Sequence, residues 1–236
     1  MGFKLGKNKV RKTPDYKYFP KNLQELRNAI RKHNIETPDL DLNDIDVSQV
    51  TDFGDLFAHF ENETIDISGW DMSNAENLGG MFVVCKNLKY VNINGIDTSN
   101  VRNMNRMFAT CKNLKKIDGI ENLNVDNLEA CGQMFIRCES LTELDLSKWK
   151  PKKLTHTYLM FSECHKLKTI GDISNWDMSK VWNMDSMFYY CENLRFTGDL
   201  NKWNVNNTIF RFTCDYMFTE CDLWDGKEPK WFNGKK

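Results

Sequence analysis

The sequence predicts an α/β solenoid, a right-handed coil of about seven 25–30-residue repeats with one short strand per coil and a short N-terminal capping helix. Two observations carry this. Met-Phe pairs recur at Met81-Phe82, Met107-Phe108, Met134-Phe135, Met160-Phe161, Met187-Phe188 and Met217-Phe218, with steps of 26, 27, 26, 27 and 30 between the Phe positions. Each Phe is followed three residues later by a cysteine, giving a ladder of Cys85, Cys111, Cys138, Cys164, Cys191 and Cys221. Self-similarity at such a period marks units that bury their apolar faces only by stacking on their neighbours.

Within each unit the order is apolar-x-x-Met-Phe-x-x-Cys-x-x-Leu, then a strand-like segment, then a turn. The Leu slot holds Leu88, Leu114, Leu141, Leu167 and Leu194, with Trp224 as its last equivalent. Tyr90–Asn94, Lys116–Gly119, Glu143–Ser147 and Thr169–Ile173 alternate apolar with polar residues, as half-buried strands do. The turns carry Trp70-Asp71, Ile96-Asp97, Trp149-Lys150, Trp176-Asp177 and Trp203-Asn204, where a short polar side chain can bond the backbone two residues on. Leu56-Phe57, with Phe60 in the cysteine slot, reads as a degenerate first copy.

Four regions follow: a basic flexible arm over 1–20, a capping helix and connection over 21–40, the solenoid over 41–224 and a C-terminal cap over 225–236. In the second region, Leu23, Leu26 and Ile30 share a helical face behind Asn22, a good N-cap residue. In the fourth, Trp224, Trp231 and Phe232 are expected to fold over the last coil, closing an edge that would otherwise pair with other chains.

The repeats resemble the BspA-like leucine-rich repeats, a bacterial surface-protein family whose units carry Phe-x-x-Cys-x-x-Leu and Trp-Asp-x-Ser-Asn-Val stretches, over roughly Asp41 to Trp224. The resemblance implies a leucine-rich-repeat-like coil that acts by binding. It carries over no catalytic residue and no cofactor.

The residues agree. The four histidines are scattered, and no nucleophile elbow, phosphate-cradling loop or His-Glu-x-x-His occurs. Zinc spacing and the Asp-x-Asp-x-Asp-Gly calcium loop are missing, so neither a metal nor another cofactor is expected. The ladder cysteines are expected to pack as reduced core thiols, and Cys131 and Cys214 fall in another apolar slot, three residues before a Met. The expected function is a non-enzymatic binding module for a protein partner. The alternatives are a structural component of a larger assembly such as a phage virion, or a cell-surface adhesin.

Two surfaces are candidates. The outward strand positions Asp66, Asn92, Asp118, Asp145, Asp172 and Asp199 form a mainly carboxylate row suited to a basic partner. Residues 1–36 hold ten basic against three acidic side chains, leaving −8 for the remainder of a chain of net charge −1. Lys4, Lys7, Lys9, Arg11 and Lys12 therefore make a candidate tether for an anionic surface or nucleic acid. No signal-peptide core or membrane-length apolar run is visible, which points to a cytoplasmic or assembly-bound location. The sequence specifies no oligomeric state.

Overall fold

Successive coils of the chain stack in parallel. The computed structural model describes residues 15–33, 37–205, 212–221 and 228–235. Helix α1, Leu23–Ile30, is capped by Asn22, whose side chain accepts from the Glu25 N–H at 3.0 Å. Its buried face is Leu26, Ala29 and Ile30, and Arg27 donates to the carbonyls of Gly54 and Asp55 in the first coil. Just before the helix, Tyr18 pairs in parallel with Ile45, while Lys17 N–H bonds Asp44 O at 2.8 Å. The described end of the basic arm is thus docked on the solenoid, which differs from a free segment reaching to residue 20.

Four three-residue strands, β1 (Asp39–Asp41), β2 (Thr64–Asp66), β3 (Tyr90–Asn92) and β4 (Lys116–Asp118), form one parallel sheet in the order β1-β2-β3-β4. Their central residues Leu40, Ile65, Val91 and Ile117 point into the core. The expectation of one strand in every coil needs correction. Among the described residues the later coils make only single bridges, Glu143 to Thr169 to Phe196. Gly171 and Gly198, at φ 77° and 81°, break the extended backbone there.

A second line of parallel bridges lies five residues before each repeat phenylalanine, a slot not singled out in the sequence. It joins Asp52, Asn77, Asn103, Ala130, His156, Asn183 and Thr213, one per coil. From it the Met-Phe segment runs as stacked turns. Phe53, Asp55, Phe57 and His59 donate to the carbonyls of Asn77, Gly79, Met81 and Val83 in the next coil. Leu56, Ala58 and Phe60 instead donate three residues back. Every amide from 55 to 60 therefore has a partner, as buried backbone demands. This alternation needs two left-handed residues per coil, such as Arg106 and Thr110 at φ 59° and 62°.

The core is a set of columns. Phe57, Phe82, Phe108, Phe135, Phe161, Phe188 and Phe218 stack ring on ring at 5.1 to 5.8 Å. Beside them, Cys85, Cys111, Cys138, Cys164 and Cys191 each donate Sγ–H to the Phe carbonyl of the preceding coil at 3.0 to 3.2 Å. Trp70, Trp149 and Trp203 likewise donate Nε1–H one coil back, to Leu42, Ile120 and Ile173. At the C-terminal end Trp231 stacks on Trp203 at 5.8 Å and donates to Leu200 O, and Phe232 meets Phe218 edge-on at 5.2 Å. Trp224 lies outside the described residues.

Candidate interaction surface

The sheet fixes the strand-face row by register. Asp41, Asp66, Asn92 and Asp118 are direct partners on β1 to β4, so Asp41, absent from the sequence-derived row, heads it. Glu143 is bridged to Thr169 and Thr169 to Phe196, which places Asp145 two residues on, and Asp172 and Asp199 three residues on. The extra residue in each later coil is Gly171 or Gly198. A Cβ at Gly171 would approach Asp145 Oδ1 to 2.6 Å, and one at Gly198 would collide with the Asp172 carboxylate. Glycine leaves space there for the preceding carboxylate.

Every acid of the row but Asp118 closes its own turn. Asp66, Asp145, Asp172 and Asp199 accept the backbone N–H of Ser68, Ser147, Ser174 and Asn201 at 2.9 to 3.0 Å. The hydroxyls of Ser147 and Ser174 bond the same oxygens of Asp145 and Asp172 and, with the amides, hold both carboxyls below the usual range. Burial opposes ionisation of Asp66, but hydrogen bonds from Ser68, Asn92 and Asn43 outweigh it. At Asp118 burial is likewise outweighed, by the Lys116 ammonium at 2.7 Å and the Tyr90 hydroxyl. Burial and that carboxylate push Tyr90 up. Asp66, Asp118, Asp145 and Asp172 are therefore ionised at neutral pH.

Among the described residues the carboxylates of Asp145, Asp172 and Asp199 bond only within their own turns, so each keeps acceptor capacity directed outward. A groove of about 610 Å³ runs along this face, lined by Lys115, Lys116, Glu143, Asp145 and Asp172 among others.

A basic rim, absent from the sequence-derived site, borders the row. The N–H groups of Lys89, Lys115, Lys168 and Arg195 bond Glu63, Lys89, Thr142 and Lys168 one coil back, which aligns these residues along the stack. Lys89 pairs with Glu63 at 2.6 Å, whereas Lys115 and Lys168 make no ion pair within the described residues. The signal was present in the repeat: each cation directly follows the Leu of Cys-x-x-Leu.

The other sequence-derived residues fall elsewhere. Cys85, Cys111, Cys138, Cys164, Cys191 and Cys221 line the core and, with Cys131 and Cys214, are free buried thiols. Burial pushes Cys131 and Cys164 up to about 12. The tether Lys4, Lys7, Lys9, Arg11 and Lys12 lies outside the described residues. His165 Nδ1 sits 3.3 Å from Glu192 Oε1 on the surface. Among the described residues no three His, Cys, Asp or Glu side chains converge as a metal site, and no helix is long and apolar enough to cross a membrane.

Three overlapping segments, residues 22–143, 77–194 and 114–231, match the family described as "Mycoplasma protein of unknown function, DUF285". The chain belongs to this family. The overlap of the matches follows from the internal period, since the family unit can be laid on the coils in several registers. No curated protein matches the chain. Among solved structures, the one described as "Crystal structure of TLR13-ssRNA13 complex" is 12% identical, with a TM-score of 0.30. That alignment covers 86% of this chain and 37% of the other, so the chain spans little more than a third of that protein's length.

Proposed function

We propose that this protein is a non-enzymatic binding module, a right-handed, leucine-rich-repeat-like solenoid of the BspA type that presents its strand face to a protein partner. The observation that carries the proposal is the register-aligned row from Asp66 to Asp199. Asp66, Asp118, Asp145 and Asp172 are ionised, and among the described residues Asp145, Asp172 and Asp199 have no cation of their own chain bound. Rows of charge on a rigid scaffold suit recognition by complementary charge, because the scaffold prepays the ordering of the side chains. The buried histidine-poor core and the raised thiols offer no activated nucleophile or general base, which supports binding over catalysis.

The test is capture of partners from the native source by the full chain beside the Asp145→Asn, Asp172→Asn, Asp199→Asn variant, identified by mass spectrometry. Asn keeps each turn, as Asn92 does for Asn94 N–H, and removes the charge. Loss of the partner with the variant is the expected result. Retention by the variant and loss on removal of residues 1–14 would instead favour an arm-tethered assembly component, and retention by both would move recognition to another face.

A further inference from the structure

The strand face carries two stripes of opposite sign. On one side run Lys89, Lys115, Lys168 and Arg195, and three residues or so along each coil run Asn92, Asp118, Asp172 and Asp199. Both stripes follow the stacking direction, with consecutive coils about 4.8 Å apart. Between them lies the column of Tyr90, Lys116, Glu143, Thr169 and Phe196, in which Lys116 and Glu143 are exposed charges of opposite sign on neighbouring coils and Phe196 is 51% exposed.

Such a face is complementary to itself. A two-fold axis lying in the interface, parallel to the stripes and between them, places each basic stripe over the acidic stripe of the other copy. An axis along the strands would set like charge over like. The favoured arrangement also preserves coil order, so Lys115 faces Asp118, Lys168 faces Asp172 and Arg195 faces Asp199 of the same-numbered coil in the other copy. Two further levels form no charge pair across the axis. Lys89, already held by Glu63, falls opposite Asn92, and Thr142 opposite Asp145. Phe196 lies beside the axis, where an exposed apolar ring meets its own counterpart, as an isologous contact requires.

From this we propose that the occupant of the strand face is a second copy of this chain, held as a parallel two-fold dimer by the paired charge stripes. The proposal rests on the binding reading above and names its partner. The stripes are narrow and solvated, so the dimer is a salt-sensitive one at the weak end of specific interfaces.

The experiment is sedimentation velocity of the full chain over a concentration series, at about 0.05 and about 0.5 M salt. Three samples are compared with the native protein. They are Asp172→Lys with Asp199→Lys, Lys168→Glu with Arg195→Glu, and an equimolar mixture of those two variants. The native chain should dimerise, more weakly in high salt. Each variant alone should dissociate about tenfold more readily, and the mixture should recover native affinity, because both stripe contacts are again opposite in charge. Asp172→Asn with Asp199→Asn, which keeps the turns, controls for folding by circular dichroism and should also weaken the dimer. A native chain that stays monomeric at about 100 μM overturns the proposal, as does a dimer indifferent to the reversals or a mixture no tighter than its components. If the chain is monomeric yet captures a different protein through the carboxylate row, the binding function stands and self-association falls.

Discussion

The cysteine column exists because a thiol meets two demands at once. It is small and apolar enough for the space beside the phenylalanine stack, and it donates to a carbonyl that already accepts one N–H, as Phe108 O does from Cys111 N–H and Cys138 Sγ. Cys138→Ala should therefore cost about 1–2 kcal/mol in urea unfolding, from a lost contact and a lost donor. All eight thiols should resist alkylation at mildly alkaline pH until the chain unfolds; prompt labelling of the folded protein would contradict the burial. A second residue-scale feature is the left-handed slot before each Met-Phe pair. Arg106 fills it at φ 59°, exposed, where the preceding coil has Gly80 at φ 64°. Arg106→Gly should raise stability by about 0.5–1 kcal/mol, measured by thermal and chemical unfolding, since the strain of a Cβ in this region is removed. The cysteine spacing was legible in the sequence; the thiol-to-carbonyl bond was not, because it joins residues 28 to 30 apart whose alignment only the coil supplies.

At the scale of elements, polar turns do what longer strands do in other sheets. Asp71, Asp97 and Asp177 accept the N–H two residues on, from Ser73, Ser99 and Ser179, so the chain bends in place at each corner. With Asp66, Asp118, Asp145 and Asp172, Asp177 has a carboxyl held below the ordinary value. A depressed folded-state pKa contributes stability that is fully present above the unfolded value of about 3.9 and is lost as pH falls through the folded one. Urea midpoints should decline slightly once pH falls below about 6.5, because burial lowers the His156 pKa and the unfolded chain takes that proton first, and then more steeply through the acid range as the carboxylates protonate. A midpoint that rises on acidification would contradict the role of these carboxylates. The apolar–polar alternation at Tyr90–Asn92 and Lys116–Asp118 is enough to locate β3 and β4 in the sequence, and Asn22 with the Leu23, Leu26, Ile30 spacing is enough to locate α1. The second bridge column carries only a weak signal, because Asn at 77, 103 and 183 gives way to Ala130, His156 and Thr213; backbone bridges align it throughout, and side-chain bonds from Asn77 to Asp52 and from Asn103 to Asn77 support its first coils. The basic rim stands beside the repeat leucines in the sequence but gains meaning only when the coils set it next to the acids.

At the scale of the whole molecule, contacts run between neighbouring coils, so stability is close to a sum of unit and interface contributions. Excising one complete unit, residues 109–135, joins Phe108 to Ile136 and preserves the period. The shortened chain should fold with native circular dichroism and lose about 4.8 Å of length in small-angle scattering. Phe135→Ala in the intact chain, by contrast, interrupts the ring stack and should cost about 3–5 kcal/mol. The same one-dimensional stacking turns single outward side chains into long charged stripes, and these are the surface on which the proposed recognition rests. Hydrogen–deuterium exchange of the native chain, alone and in its bound complex, tests that most directly. The strand-face amides from Tyr90–Asn92 and Lys116–Asp118 to Ser147, Ser174 and Asn201 should gain protection on binding. Protection confined to the stacked Met-Phe turns, with the strand face unchanged, would contradict the account.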